Sequence, residues 1–410
     1  MSRSRPCIIP QALPAAGSKP EVRDMENEKS LQNTPAAVRT HIGFFGRMNA
    51  GKSSLINALA DQPVSIVSEE AGTTTDVVKK TMEIHGIGPC VLLDTAGFDD
   101  VSKLGAMRTA ASRKASMSCD IAVIICGAGT DYSCENEWLR RFAAMQVPAV
   151  VVLGQADTRS DEENRRACSE IERQTGIVPL AVSAVTGEGK DALLKALVDA
   201  AGRSPEKPLI MGNLVRKDDV VILVMPQDPQ APEGRLILPE VQTIREALDR
   251  HCICLCVQPD ELPGALAALK EAPALIVTDS QVFDIVHAQV PEKTKLTSFS
   301  ILFAGYKGDI DYYIKSTETI ADLTEDSRIL IAECCTHAPL DEDIGRVKIP
   351  AMLRKRIGSG LTVDVTAGND FPEDAGKYNL IIQCGGCMLN RRAVMSRINQ
   401  AKEAQVPMTN

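Results

Sequence analysis

The segment Gly46-Arg-Met-Asn-Ala-Gly51-Lys52-Ser53 constrains the fold of this chain more than any other. It follows an apolar, strand-like run and precedes a helical run over residues 55–60, which is the strand, loop and helix context of a phosphate-binding loop. In such loops backbone N–H groups surround the phosphates, the lysine reaches the β- and γ-phosphate oxygens, and the serine hydroxyl binds Mg²⁺. The motif therefore predicts a Mg²⁺-dependent nucleoside triphosphatase.

Short β-branched runs alternate with helical segments through the region around this motif. This alternation predicts an α/β domain with a doubly wound, mostly parallel sheet that helices cover on both faces. The predicted strands of this domain lie at residues 41–45, 91–94, 121–126, 150–153 and 178–182.

A chain of 410 residues is long enough for several cores, and its pattern divides into four parts. Residues 1–37 show no helical or strand period and are predicted to be a disordered extension. Residues 38–203 form the nucleotide-binding domain, 206–295 a second α/β domain, and 296–410 a third α/β domain whose strands at 329–332 and 380–382 each end beside cysteines.

The composition argues against several classes of partner. No apolar run is long enough to span a bilayer, so we expect a soluble protein without a membrane partner. A net charge of -9 and only 3% aromatic residues disfavour a nucleic-acid partner. Thirteen cysteines without a secretory signal are typical of a reducing compartment, which predicts a cytoplasmic protein.

Two further segments complete the predicted nucleotide site. Asp94-Thr-Ala-Gly97 closes a strand, so its carboxylate can hold Mg²⁺ through water and its glycine amide can contact the γ-phosphate. Thr74, in a threonine run between the two motifs, can donate its hydroxyl oxygen to Mg²⁺ while the γ-phosphate remains. The predicted catalytic residues are Lys52, Thr74, Asp94 and Gly97.

These residues resemble the translation-factor-like GTPases, and among them the TrmE-like, potassium-activated group whose loop reads G-R-x-N-A-G-K-S. The resemblance implies GTP as substrate and Asn49 as a K⁺ ligand. Phe98 stands where small GTPases such as Ras carry a water-orienting glutamine, so we expect slow hydrolysis without help from K⁺ or dimer contacts.

The base-binding segments depart in part from the pattern of that group. Its N-K-x-D motif is here Gly154-Gln155-Ala156-Asp157, so only the aspartate remains to bind guanine, and we expect weakened guanine affinity. Ser183-Ala184 fits the last nucleotide motif. The predicted nucleotide-binding residues are Gly46, Asn49, Ala50, Gly51, Lys52, Ser53, Ser54, Thr74, Asp94, Asp157, Ser183 and Ala184.

A second candidate site lies in the third domain. Cys335, His337, Cys384 and Cys387 follow two apolar strands and can converge at one sheet edge, where two glycines let the chain turn around a metal. Spacing alone leaves three interpretations open: structural zinc in a Cys₃His tetrahedron, a [4Fe-4S] cluster, and plain buried cysteines. Three other cysteines on one strand, at 252, 254 and 256, are interpreted as core residues. Cys334 is excluded as a ligand because it faces the opposite side from Cys335 if the strand continues.

The third domain resembles the C-terminal domain of the HydF family of [FeFe]-hydrogenase maturation GTPases, and one segment of the second domain resembles the same family. The resemblance rests on Cys335-Thr-His337, Asp343-Ile-Gly-Arg-Val-Lys-Ile-Pro350, Cys384-Gly-Gly-Cys-Met388, Leu296-Thr-Ser-Phe-Ser-Ile-Leu-Phe303 and Gly234-Arg-Leu-Ile-Leu-Pro239. One departure is Gln383, where the family has a histidine before the cysteine pair.

This resemblance implies a [4Fe-4S] cluster, a homodimer formed by the middle domain, and a GTPase that also serves as an iron–sulfur scaffold. Such a scaffold would receive a transient diiron precursor from two radical-SAM maturases and deliver it to apo-[FeFe]-hydrogenase. We further expect the nucleotide state to bias two switch loops, at about 65–79 and 97–114. The alternative from another class is an RNA-modification or ribosome-associated GTPase with a structural zinc site.

Overall fold

The computed structural model describes residues 35–60, 68–70, 77–98, 105–129, 131–202, 208–227, 236–334, 344–368, 370–372 and 374–410. Three units follow one another along the chain, and each is built on its own sheet with helices packed against it. This arrangement confirms the predicted α/β class. Nearly all of the predicted disordered extension, residues 1–34, lies outside the described residues.

The first unit holds a seven-stranded sheet in the order β2-β3-β4-β1-β5-β6-β7. Strands β1, β4, β5, β6 and β7 pair in parallel, whereas β2 and β3 are antiparallel at one edge. The strands are β1 (Thr40–Gly46), β2 (Ser68–Glu70), β3 (Val78–Ile84), β4 (Gly88–Asp94), β5 (Ile121–Cys126), β6 (Ala149–Leu153) and β7 (Leu180–Ala181).

The helices of this unit pack on both faces of the sheet, because its central strands are apolar on both sides. Every residue of β5 is buried, as the continuous apolar run 121–126 predicts. The helices are α1 (Lys52–Ala60), α2 (Gly105–Met117), α3 (Ser133–Ala144), α4 (Asp161–Thr175) and α5 (Lys190–Gly202).

The second unit is a four-stranded parallel sheet in the order β11-β10-β8-β9. Its strands are β8 (Val220–Val224), β9 (Ile253–Val257), β10 (Leu275–Thr278) and β11 (Lys295–Ser298), and its helices are α6 (Leu238–Asp249), α7 (Leu262–Ala268) and α8 (Phe283–His287). Cys252 lies directly before β9 and is buried, whereas on β9 itself, an edge strand, Cys254 is half-buried and Cys256 is exposed. The core interpretation of Cys256 is therefore wrong.

The third unit is a four-stranded parallel sheet in the order β13-β12-β14-β15. The strands are β12 (Arg328–Ala332), β13 (Thr362–Thr366), β14 (Leu380–Gln383) and β15 (Met408–Thr409). The helices are α9 (Phe299–Lys307), α10 (Ile310–Ser316), α11 (Ile349–Ile357) and α12 (Arg391–Glu403), with a π-helical turn at Ile344–Lys348.

Helix α9 belongs to two cores at once. Its residues Phe299, Leu302 and Phe303 pack with the core of the second sheet, whereas Ala304 packs with the core of the third. Strand β11, which precedes it, pairs with β10 in the second sheet. The predicted boundary between 295 and 296 therefore falls inside a strand of the middle unit, which extends further along the chain.

Short 3-10 helices at Ala36–Val38, Ala156–Thr158, Ser280–Val282, Thr317–Ala321 and Ala375–Lys377 complete the described secondary structure. Within the ranges that the structure describes, no helix has the length and apolar character needed to cross a membrane.

Candidate functional site

The phosphate-binding loop connects β1 to α1 and places its lysine inside the loop. Lys52 is only 8% exposed, and its ammonium group donates to the carbonyls of Gly46 at 3.1 Å and Arg47 at 2.8 Å. Positive φ angles at Asn49 (59°) and Gly51 (93°) bend the backbone around this ammonium group. The loop therefore has the geometry expected of a phosphate-binding site.

Two of the three groups predicted to hold Mg²⁺, Ser53 and Asp94, lie together. The Ser53 hydroxyl donates to the Asp94 carboxylate, which joins the start of α1 to the end of β4. Burial raises the pKa of Asp94, and the Ser53 hydrogen bond and the charge of Lys52 oppose this shift. A partly buried carboxylate beside a hydroxyl and an ammonium group is suited to bind a hard cation such as Mg²⁺.

Gly97 and Phe98 lie against the phosphate-binding loop. The backbone N–H of Phe98 donates to the carbonyl of Gly46 at 3.3 Å. A Cβ atom at Gly97 would lie 2.6 Å from the backbone nitrogen of Met48, so only glycine allows this approach. The Phe98 ring stacks on Trp138 of α3, with 4.9 Å between the ring centroids.

The loop is also anchored by an arginine that the sequence analysis did not select. Arg47 donates to the carboxylate of Glu135 at 3.0 Å and to the carbonyl of Asp131 at 2.7 Å. Glu135 is 1% exposed, so this ion pair reaches into the interior of the domain. The Gly46-Arg47 pair of the motif was the sequence signal that could have indicated this arginine. Its partner on α3, Glu135, lies far away along the chain.

On the base side, Gly154 and Gln155 connect directly to the phosphate-binding loop. The Gln155 side-chain amide donates to the Asn49 carbonyl at 2.9 Å. A Cβ atom at Gly154 would lie 2.5 Å from the Ala50 carbonyl oxygen, so the absence of a side chain lets the two loops touch. The link to the loop that a missing asparagine would supply is therefore made by Gln155.

The remaining base-side residues form one hydrogen-bonded group. Ser183 donates to the carboxylate of Asp157 at 2.6 Å, and its hydroxyl accepts from the backbone N–H groups of Val185 and Thr186. Arg159, which the sequence analysis did not select, donates to the Gly154 carbonyl at 2.6 Å. Asp157 is thus held in place at the surface beside β7.

The remaining residues of the predicted nucleotide site have different positions. Ala50 is buried in the loop, Ser54 is exposed at the start of α1, and Ala184 is half-buried after Ser183. Thr74 lies outside the described residues, as does most of the first predicted switch loop.

The second candidate site is the turn that follows β14. Cys384 and Cys387 are both half-buried, and the turn between them uses a φ of 69° at Gly386. A Cβ atom at Gly385 would lie 3.2 Å from the Cα of Ser300, so the turn packs closely on α9. We call residues 384–387 the cysteine turn.

The other two predicted metal ligands, Cys335 and His337, lie outside the described residues. In the part of the chain that the structure describes, no group of three or more His, Cys, Asp and Glu side chains is placed to hold a metal ion. Of the four predicted ligands, the structure therefore describes only Cys384 and Cys387, at the two ends of the cysteine turn.

Cys334, which the sequence analysis excluded, lies against the cysteine turn. Its backbone N–H donates to the Cys384 sulfur at 3.1 Å. A hydrogen bond from the Cys334 thiol lowers the pKa of Cys384, and the same bond together with burial raises the pKa of Cys334. Gln383, at the position of the family histidine, is 1% exposed and donates to the Cys334 sulfur at 2.9 Å.

Lys307, the last residue of α9, holds the cysteine turn from the side of the middle unit. Its ammonium group donates to the carbonyls of Gly386 (2.8 Å), Cys387 (3.1 Å) and Leu389 (2.7 Å). Burial lowers the pKa of Lys307 to about 8, and the neighbouring thiols, Cys387 first, oppose this shift. Lys307 is 3% exposed.

The nucleotide-binding unit and the third unit meet at Asn390, three residues after the cysteine turn. Its side-chain oxygen caps α12 by accepting from Ala393 at 3.0 Å. Its amide nitrogen donates to the Ser118 carbonyl at 2.7 Å and lies 2.6 Å from Nδ1 of His41. Burial, followed by the charge of Lys79, lowers the pKa of His41 to about 4, so the ring is neutral and Nδ1 accepts.

Further contacts surround this junction. Arg392 donates to the carbonyls of Met145 at 3.2 Å and Gln146 at 3.0 Å, and Lys114 of α2 forms an ion pair with Asp370. Helix α2, whose residues up to Lys114 lie within the second predicted switch loop, also packs on α12. The segment that follows Gly97 and the cysteine turn are therefore connected through the interface around Asn390.

Comparison with known proteins identifies three matched regions. Residues 41–155 match the model of the 50S ribosome-binding GTPase family. Residues 210–308 match the hydrogen maturase F dimerization domain, and residues 311–410 match the hydrogen maturase F tetramerization domain. The two latter matches meet just after α9, in agreement with the extended middle unit.

Curated relatives match over part of the chain only. A tRNA modification GTPase MnmE of Prochlorococcus marinus is 30% identical over 183 residues, which are 44% of this chain and 38% of that protein. The Moorella thermoacetica MnmE is 30% identical over 176 residues, which are 41% and 37% of the two chains. The chain thus spans less than two fifths of the length of these relatives.

Solved structures give a weaker likeness. A variant of Aquifex aeolicus Era bound to GDP and AlF4- is 18% identical with a TM-score of 0.33, over 56% of this chain and 98% of that one. The G domain of the T. maritima FeoB iron transporter is 22% identical with a TM-score of 0.30, over 40% of this chain and 99% of that one.

Proposed function

This chain belongs to the hydrogen maturase F family of hydrogenase-maturation GTPases, and we propose that it couples GTP hydrolysis to an iron–sulfur scaffold. The proposed scaffold binds a [4Fe-4S] cluster at Cys335, Cys384 and Cys387, with His337 beside the fourth position. There it holds a transient diiron precursor received from two radical-SAM maturases and delivers it to apo-[FeFe]-hydrogenase in the cytoplasm.

The observation that carries this proposal is the construction of the cysteine turn. Two thiols flank two glycines at the end of a parallel strand, and a buried ammonium group fixes three carbonyls of the turn and the residues after it. Thiolates are the ligands of iron–sulfur clusters, and a positively charged environment suits a cluster with anionic thiolate ligands. When bound, the cluster supplies an iron that a second metal centre can attach to.

The nucleotide site supports hydrolysis that depends on cations. We propose that Ser53 and Thr74 bind Mg²⁺ directly, that Asp94 holds it through water, and that Lys52 stabilises charge on the transferred phosphoryl group. Gly97 would donate its amide to the γ-phosphate. The ring at position 98 stacks on Trp138 and has no polar group to orient water, so K⁺ bound at Asn49 is proposed to assist catalysis.

The interface at Asn390 supports coupling between the two sites. One side chain contacts the nucleotide-binding unit through Ser118 and His41, and caps the helix that leaves the cysteine turn. A shift of the segment after Gly97 can reach this interface through α2. We therefore propose that the nucleotide state changes which partner the scaffold prefers, and that hydrolysis does not drive the cluster chemistry itself.

Self-association is supported by both hydrogen maturase F domains. We propose that the homodimer forms through strand β9, because this edge of the middle sheet carries the exposed residues Ile253 (56%) and, on the neighbouring helix α6, Leu248 (58%). An unpaired strand edge beside apolar surface is suited to pair with the same edge of a second copy.

The experiment that tests the scaffold compares metal content in three anaerobic preparations reconstituted with iron and sulfide. These are the wild type, Cys384→Ala, and a control Cys168→Ala, which removes another half-buried thiol on α4. We expect about four irons and four sulfides in the wild type and the control, and loss of the reduced-state EPR signal in Cys384→Ala. One zinc without sulfide would refute the scaffold, and co-purifying RNA would favour an RNA-modification GTPase.

The coupling is tested separately with Lys52→Ala in a purified maturation system. We expect this variant to lose GTP hydrolysis and also to slow the activation of apo-hydrogenase, because the switch loops no longer respond to the nucleotide. Unchanged activation with abolished hydrolysis would refute the coupling and leave the scaffold role intact.

A further inference from the structure

Two buried cations border the cysteine turn. Lys307 reaches it from α9 and is 3% exposed, and Arg397 on α12, 4% exposed, hydrogen-bonds Gln383, the residue directly before the turn. The partners of Lys307 are all backbone carbonyls, at Gly386, Cys387 and Leu389. Carbonyl dipoles fix the position of the ammonium group but do not neutralise its charge.

The contacts of Arg397 are likewise uncharged oxygens and a sulfur. Its guanidinium donates to the side-chain carbonyl of Gln383 at 3.1 Å, to the carbonyl of Gly368, and to the Cys334 sulfur at 3.8 Å. Its remaining face lies over the ring of Phe371, 5.3 Å from the centroid. Arg397 therefore contacts the Cys334 thiol, whereas Lys307 contacts the backbone of the cysteine turn and is near the thiols of Cys387, Cys334 and Cys384.

Among the described residues, no carboxylate lies within ion-pair distance of Lys307 or Arg397. Two less buried arginines, in contrast, pair with carboxylates: Arg47 with Glu135 and Arg346 with Glu333. Burying an uncompensated cation is energetically unfavourable, so two of them at one place favour a nearby anion that compensates their charge. Of the described groups near them, the proposed ligands Cys384 and Cys387 are those that become anionic on metal binding, and both are near Lys307.

We propose that Lys307 and Arg397 form the charge-compensating half of a binding site for an anionic metal–sulfur cluster, with Lys307 also positioning the cysteine turn. This inference rests on the proposed scaffold function and adds the charge class of its ligand. A cluster with thiolate ligands becomes more negative when it accepts an electron, and nearby fixed cations stabilise that reduced form. The two cations therefore raise the reduction potential of the cluster.

The test measures the reduction potential of the reconstituted full-length dimer by dye-mediated titration monitored by EPR. Neutral variants Lys307→Met and Arg397→Gln are compared with the charge-conserving variants Lys307→Arg and Arg397→Lys. Lys315→Met, which removes an exposed lysine from α10, is the matched control. We expect a more negative potential in both neutral variants, a wild-type potential in the control, and near wild-type values in the charge-conserving variants.

The outcomes separate this inference from the function on which it rests. A wild type that binds no iron and sulfide removes the scaffold proposal and this inference together. A wild type with a normal cluster and unchanged potentials in both neutral variants removes this inference alone. The neutral variants could bind too little iron for a potential to be measured. In that case, iron binding that is retained in the charge-conserving variants supports the need for a positive charge. Equal loss of iron in all four variants shows that the side chains act through packing, and it overturns this inference.

Discussion

The side-chain amide of Gln155 donates a hydrogen bond to the Asn49 carbonyl at 2.9 Å, which ties the loop after β6 to the phosphate-binding loop. Gln155 adopts a left-handed backbone conformation, with φ 56°, that directs its side chain toward this carbonyl. One side chain thus links the guanine-binding and phosphate-binding halves of the site.

Removing this link is expected to weaken nucleotide binding. Gln155→Ala loses one hydrogen bond of about 1 kcal/mol, so the GDP dissociation constant should rise several-fold. Gln155→Lys keeps a donor and should bind nearly as the wild type, whereas Gln155→Glu places an acceptor against a carbonyl and should bind worst. Titration with a fluorescent GDP analogue measures this order, and equal affinities in all three variants would contradict it.

Introducing at position 154 the asparagine of the N-K-x-D motif is expected to weaken the site. A Cβ atom there would lie 2.5 Å from the Ala50 carbonyl oxygen and 3.0 Å from Cγ2 of Ile125, so Gly154→Asn must displace the phosphate-binding loop. Overpacking of this kind costs about 1–3 kcal/mol. Urea denaturation should show reduced stability and titration should show weaker GDP binding; tighter binding would show that the loops separate freely.

The single tryptophan of the chain is expected to report the nucleotide state. Trp138 stacks on Phe98, directly after Gly97, with ring centroids 4.9 Å apart. A movement of this segment on exchange of GDP for a GTP analogue should change the tryptophan emission. Phe98→Leu should abolish most of the change, whereas the control Phe283→Leu, in the middle unit, should retain it. Identical emission in both nucleotide states would argue against motion at Phe98.

Acid is expected to destabilise the interface at Asn390. Burial lowers the pKa of His41 to about 4, below its value of about 6.5 in an unfolded chain, so the folded state disfavours protonation. Stability should be full above pH 6.5 and should fall by on the order of 3 kcal/mol as the pH drops to 4. Lys79 and Arg39 add to the penalty, since their charges also oppose protonation.

Unfolding curves between pH 4 and 7 measure this effect. His41→Asn keeps an acceptor near Asn390 but cannot titrate, so its stability should depend less on pH than that of the wild type. The control His85→Asn, which replaces an exposed histidine, should leave the pH dependence unchanged. A pH dependence that His41→Asn does not reduce would assign the acid sensitivity to other groups.

The edge of β9 is expected to be the dimer interface. Ile253→Arg places a charge on this exposed edge and should convert the dimer to monomer in light-scattering measurements. Ile285→Arg is a matched control, because Ile285 on α8 has the same 56% exposure as Ile253. Dissociation by both variants or by neither would place the interface elsewhere.

The sequence predicted those elements that local pattern determines. Continuous apolar runs bounded by polar residues located β5 at residues 121–126, and the phosphate-binding motif located the loop before α1. The predicted boundary between the second and third units was wrong, because one segment contacts both units. The apolar run that begins at Leu296 has the appearance of a domain start, but β11 pairs with the earlier strand β10 of the middle sheet.

The site residues that were missed depend on tertiary contacts. Arg47 acts through a partner on α3, Arg159 through a carbonyl at the other end of its own loop, and Gln155 through its backbone conformation. The sequence alone does not reveal these contacts. Cys334 was excluded because strand alternation pointed it away from Cys335, whereas its backbone approaches Cys384 from the neighbouring strand. Motifs indicated the chemistry of the site, and the hydrogen-bonding network followed only from the fold.

Helix α9 packs in the cores of both the second and the third unit, so it determines where the chain can be divided into fragments. A fragment that begins at residue 311, where the tetramerization domain match starts, leaves Lys307 on the other side of the cut. Such a fragment would fold its sheet but present a cysteine turn whose carbonyls have lost their donor. Any minimal recombinant version of the third unit that is meant to bind metal must therefore begin before Phe299, and it will carry an exposed apolar face from the middle core with it.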